Sequence, residues 1–160
     1  MQKFMKVVLT ADYALFAVAG FGLGVMMLVT LTDVVMRYFG KPIVGGMEIV
    51  CFSSAVVIGF AIPYTSWTRG HIIVDFLLEK LSSKSVRILQ IVTRCMGVFL
   101  FVFAGYNFII YGLDLIRTGE VTAGFRIPYY PITFGLAVSC FLQSITLLCD
   151  LLTTLGWSHE

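Results

Sequence analysis

Four stretches of the chain carry no charge: Tyr13 to Thr32, Ile49 to Thr68, Cys95 to Leu113 and Ile127 to Cys149. Each is close to the roughly 20 residues that a helix needs to cross about 30 Å of hydrocarbon. Apolar positions inside them run on without the strict alternation of a barrel strand. In lipid, backbone polar groups must be satisfied within the segment or by a closed barrel. The pattern therefore predicts an all-α integral membrane protein with four transmembrane helices, at about 12–38, 47–67, 85–117 and 130–155. Residues 1–160 are expected to form a single membrane domain, with a short basic head over Met1 to Thr10 and a polar tail, Ser158-His159-Glu160.

Between the second and third stretches the pattern changes. Val74, Leu77, Leu78 and Leu81 recur at helical spacing, with Asp75, Glu79 and Lys80 on the remaining surface. This segment is too short and too charged to span. It predicts an amphipathic helix over 72–82, lying at the membrane interface or serving as a connecting helix within the protein. Breaks elsewhere are clear. Gly40-Lys41-Pro42 and Gly45-Gly46 end the first helix. Pro63 lies in the last third of the second and predicts a kink or an end. Gly119 to Pro131, rich in glycine, proline and tyrosine, leads into the fourth.

Composition agrees with lipid as the solvent. The chain is 59% hydrophobic and 12% charged, against about 25% charged in ordinary domains. The opening lysines and Ala17-Val18-Ala19 imitate a secretory signal. Asp12 interrupts the would-be apolar core, however, and hydrophobicity continues to Leu31, so an uncleaved first helix is expected. The net charge of +2 is small and dispersed, and speaks against a nucleic-acid partner. Cys51, Cys95, Cys140 and Cys149 are not closely paired and read as packing residues. Lys3, Lys6, Arg69, Lys80, Lys84 and Arg87 fall on the side of the termini, with Arg37, Lys41, Arg117 and Arg126 on the other, which favours cytoplasmic termini.

Few residues suggest chemistry. Asp33 and Arg37 are four apart at the end of helix one, and Glu48 lies just across the turn. Arg37 can pair with either acid, fastening the corner or docking a partner. Arg94 must either snorkel or face another protein group. Gly20, Gly22 and Gly24 would let another helix approach helix one. Deep polar groups are scarce, namely Asn107, Gln143 and hydroxyls such as Ser53, Ser54 and Ser139, which is thin for a solute path. His71 and His159 lie outside the apolar stretches, so a bis-histidine haem is a poor fit, while quinone binding stays open. His71 lacks companions for a metal site, and no nucleophile, phosphate loop or acid pair stands out. No enzyme activity, cofactor or metal is expected.

Four segments together resemble the small membrane subunit, DctQ-like, of the tripartite ATP-independent periplasmic (TRAP) transporters. They are Asp33-Val34-Val35-Met36-Arg37-Tyr38-Phe39-Gly40-Lys41-Pro42-Ile43; Glu48 opening helix two; Arg69-Gly70-His71-Ile72-Ile73-Val74-Asp75; and Gly119 to Pro131 with Arg126-Ile127-Pro128. There are departures. The family often places a tryptophan just before the helix-two acid, where Gly46 and Met47 stand here, and another after the isoleucine–proline, where Tyr129 and Tyr130 stand. The resemblance implies a scaffold subunit of a sodium-coupled symporter for organic acids such as a dicarboxylate or sialic acid, in a bacterial inner membrane. Its implied partners are a large TRAP membrane subunit, a periplasmic solute-binding protein and membrane lipid. Candidate partner contacts are Gly20, Gly24, Asp33, Arg37, Lys41, Glu48, Arg69, His71, Asp75, Arg117, Arg126 and Tyr130. Rival readings are a free-standing small multidrug-type efflux carrier, which would transport alone in liposomes, and a quinone-linked membrane anchor, which would retain quinone on purification.

Overall fold

A computed structural model describes residues 2–67 and 83–154. Four helices account for nearly all of them: α1 (Gln2–Tyr38), α2 (Gly46–Trp67), α3 (Ser83–Thr118) and α4 (Tyr130–Thr154). All four contain spans long and apolar enough to cross a membrane, of 34, 22, 31 and 22 residues. The expected amphipathic helix over 72–82 lies outside the described residues, as do Arg69, His71 and Asp75.

One boundary differs from expectation by almost three turns. The first helix begins at Gln2, not near Asp12, and the basic head is helical. Nothing between Gln2 and Thr10 opposes a helix, since the segment has neither glycine nor proline. Asp12 is not a terminus either, because its carboxylate is engaged by other helices. At 34 and 31 residues, the spans of α1 and α3 exceed the lipid thickness and must tilt or project beyond it.

The helices are not arranged in chain order. α1 packs along α2, α2 along α4, and α4 along α3, while α1 meets α4 over a short stretch. α4 therefore touches every other helix and is the most buried, with 39% of its span window inside, against 6% for α1 and α3.

The interior is built from small and polar side chains. Thr133, Ser139, Gln143, Ser144 and Thr146 of α4 are buried, whereas Phe21 is 76% and Phe99 74% exposed. Lipid tails are as apolar as phenylalanine, so nothing drives these rings inward. Close backbone approach and hydrogen bonding decide the inside instead. Between α3 and α4 the approach follows three glycines. A Cβ on Gly97, Gly105 or Gly112 would lie 3.1, 3.2 or 3.0 Å from Leu147, Phe141 or Phe134. The descending partner numbers are those of an antiparallel pair.

Pro63 does not end α2, which continues to Trp67. A proline lacks the N–H that would bond to the carbonyl four residues back, here that of Gly59. The Ser139 hydroxyl of α4 donates to the Gly59 carbonyl. At the same place the missing side chain of Gly59 makes room for Leu136, whose Cδ2 occupies the space that a Cβ there would need. The helix defect and the interhelical bond are one feature.

Candidate functional site

Polar side chains gather at the two ends of the helices. At the end holding the short turns, α1 finishes with Asp33 and Arg37 one turn apart. Arg37 Nη2 lies 2.7 Å from Asp33 Oδ2, and Asp33 Oδ1 accepts from the Ile43 N–H at 3.0 Å. Asp33 thus holds the chain as it turns back, so that Pro42 and Ile43 lead into α2. Gly40 and Gly45 take positive φ, 72° and 81°, which non-glycine residues resist.

Glu48 does not pair with Arg37. It turns to the α3–α4 loop, where Oε1 accepts from the Gly124 N–H at 2.6 Å and Oε2 from the Phe125 N–H at 3.0 Å. The sequence leaves Arg37 a choice of two acids, and the structure gives it Asp33, because the loop's backbone donors occupy both oxygens of Glu48. The loop is itself ordered around Thr122. Its N–H donates to the Ile127 carbonyl at 3.0 Å, and its hydroxyl accepts from the Ile127 N–H at 3.0 Å. Arg126 holds φ 55° and donates its N–H to the Thr122 carbonyl at 3.1 Å. The two connections touch directly. A Cβ on Gly45 would lie 2.6 Å from the Phe125 ring, and one on Gly124 would lie 3.1 Å from Gly45 Cα.

The result is a braced corner with cations on its surface. Arg37 and Lys41 are exposed, Arg117 stands 3.7 Å from Asp114 with its side chain 79% exposed, and Arg126 is exposed. Tyr130 is 40% exposed at the start of α4, beside Tyr129, whose ring sits 5.2 Å from Phe52. A cavity of about 300 Å³ opens beneath, lined by Glu48, Cys51, Phe52, Thr122, Tyr129 and Thr133 among others. Gly20 and Gly24 take no part in the corner. Both face away from the other helices with nothing within 4 Å, and Gly22 is the one that meets α2, at Val57.

At the opposite end Arg94 faces a protein group, one of its two expected fates, within a cluster whose centre, Asp12, the sequence did not point to. Asp12 is fully buried, and its Oδ2 accepts from Trp67 Nε1 at 2.6 Å and from the Thr146 hydroxyl at 2.8 Å. Next to it Gln143 Nε2 donates to Ser66 Oγ at 2.6 Å. Arg94 of α3 reaches Asp150 of α4 with Nη2 2.7 Å from Oδ2, and donates to the Asp150 carbonyl at 3.2 Å. All four helices are tied at this level. One signal was available. Ser139, Gln143, Thr146 and Asp150 recur at spacings of four, three and four, a polar stripe on one face of an otherwise apolar helix. Its partners Asp12 and Trp67 are far apart in the chain and share no motif.

Among the described residues no three histidine, cysteine or acidic side chains gather to hold a metal ion, and the four cysteines are free. The contacts of Asp33 with Ile43, of Glu48, Asp12 and Gln143, and of Arg94 with Asp150 join helices or loops. Such an assembly, greasy outside and hydrogen-bonded inside, is a multi-pass membrane protein built as a braced helical unit. The family model described as tripartite ATP-independent periplasmic transporters, DctQ component, matches residues 26–156. The chain belongs to that family. It is the small membrane component of a TRAP transporter, a family of transporter components and not of enzymes. In the tripartite system the family works with a large membrane subunit and a periplasmic binding protein, in the bacterial inner membrane. Comparison with curated proteins and with solved structures returned no match.

Proposed function

We propose that this chain is the static brace of a sodium-coupled TRAP symporter for organic acids such as a dicarboxylate or sialic acid. It would hold the fixed part of the large subunit while the moving part carries solute and sodium. The observation that carries this reading is where the polar groups go. The buried ones bond helix to helix or loop to helix, and among the described residues they form no continuous path through the bundle. The same observation disfavours the free-standing carrier.

The excess of lysine and arginine on the side of the termini supports cytoplasmic termini. The corner of Asp33, Arg37, Lys41, Glu48, Arg117, Arg126 and Tyr130 would then face the periplasm. A loop clamped by Glu48 presents its cations at fixed positions, which suits docking of a binding protein with an acidic patch. Purified complex in liposomes under an inward sodium gradient tests this. Uptake should require this chain, the large subunit and the binding protein together. Reversing Lys41 and Arg126 to glutamate should raise the binding-protein concentration needed for half-maximal uptake by about tenfold, with the membrane complex intact. Transport by this chain alone would refute the reading, as would uptake by the large subunit without it.

A further inference from the structure

The outer face of α3 presents a carboxamide that lipid cannot satisfy, with the exposed phenols of Tyr106 and Tyr111 beside it. Asn107 is exposed on the side away from α4, and its Nδ2 donates to the Phe103 carbonyl at 2.8 Å. That bond uses one of its two N–H donors. The second N–H and the carbonyl oxygen have no partner among the described residues. The depth makes this matter. Asn107 lies six residues inside the charge-free stretch that ends at Leu113, roughly 9 Å along a helix axis. Hydrocarbon there offers neither donor nor acceptor.

Exposed hydroxyls on the outer helices behave differently. Thr30, Thr32 and Thr93 each donate to the carbonyl four residues back, at 2.7, 2.8 and 2.8 Å. A hydroxyl has a single proton, so its own helix can quench it. A carboxamide has two donors and an acceptor, and its own helix takes up one donor. Around Asn107 the face is apolar and aromatic. Phe99 and Phe103 are 74% and 61% exposed, with near-parallel rings 6.4 Å apart, and Met96 and Ile110 flank them. An asparagine on an otherwise largely apolar helix face can hydrogen-bond across to a neighbouring membrane helix.

We infer that the outer face of α3, centred on Asn107, is covered by a transmembrane helix of the large membrane subunit that carries a serine, threonine, asparagine or glutamine opposite the amide. The choice of occupant rests on the function proposed above. The choice of face rests on α3 alone. Within the charge-free stretch of α1, which also carries the open Gly20 and Gly24, the Thr30 and Thr32 hydroxyls are taken up by their own helix.

Site-specific photo-crosslinking in cells expressing all three components tests the inference. A benzophenone amino acid at position 103 should give an adduct with the large subunit, and one at position 21 of α1 should give little or none. In detergent, Asn107→Leu should lower the large subunit retained on this chain by roughly three- to twentyfold, the range for losing one interhelical hydrogen bond in a membrane. Asn107→Gln should stay within about twofold. Adducts from position 21 but not 103 would overturn the inference. So would an adduct from position 103 with a second copy of this chain, or full retention by Asn107→Leu. If the unaltered chain failed to retain the large subunit at all, the proposed function would fall first and take the occupant with it. Should Asn107→Leu not fold, the crosslinking result decides alone.

Discussion

Replacing Ser139 with alanine tests whether the α2–α4 contact exists because of Pro63. With no N–H at residue 63, the Gly59 carbonyl has no helical donor, and the buried Ser139 hydroxyl supplies one. Hydrogen bonds between membrane helices average roughly 0.6 kcal/mol and reach about 1.7. The Gly59 carbonyl has no substitute donor in its own helix, so the cost lies above that average. Ser139→Ala should cost about 1 kcal/mol, or about a fivefold shift in the folded-to-unfolded ratio. In a Pro63→Ala background the backbone N–H restored at position 63 bonds to Gly59, and the same substitution should cost about 0.3 kcal/mol or less. The gain in helix propensity and the lost packing of buried Pro63 enter both arms of the cycle and cancel. Unfolding in mixed micelles with rising denaturing detergent, followed by circular dichroism, gives the four stabilities. An equal cost for Ser139→Ala in both backgrounds would refute the reasoning, since the serine bond would then be independent of the helix defect.

At the other end of the helices, Asp12→Ala should destabilise by about 2 kcal/mol, because the Trp67 indole N–H loses its acceptor while Thr146 can fall back on its own helix. Asp12→Asn keeps an acceptor oxygen in place and should cost under about 1 kcal/mol, read from the fluorescence of Trp67 after Trp157→Phe. Glu48→Ala should speed amide exchange at Gly124 and Phe125 at least about tenfold without moving the melting of the helices, because it frees only the loop. Gly105→Leu should cost about 1–3 kcal/mol, since its Cβ alone would lie 3.2 Å from the Phe141 ring. Gly20→Leu should cost the isolated chain less than about 0.5 kcal/mol, nothing being within 4 Å, and a thermal unfolding assay separates the two.

The medium and the number of crossings were readable from the residues alone. A charge-free stretch of spanning length has one stable state in lipid, so the helices could be placed within a few residues, apart from the start of α1. The turn glycines and the one-turn spacing of Asp33 and Arg37 were equally legible, being local, although the choice between Asp33 and Glu48 as the partner of Arg37 was not. The order of packing was not. Nothing in the chain says that α4, last to be made, lies between α2 and α3, since lipid-facing and helix-facing apolar residues look alike when lipid is the solvent. For the same reason the sequence does not show that Gly59, Gly97, Gly105 and Gly112 carry the close approaches within the chain, while Gly20 and Gly24 stand open. The attachments of Glu48 to Gly124 and of Asp12 to Trp67 and Thr146 span 76, 55 and 134 residues. A hydrogen bond depends on position to a fraction of an ångström, and only the assembled helices bring such distant groups that close.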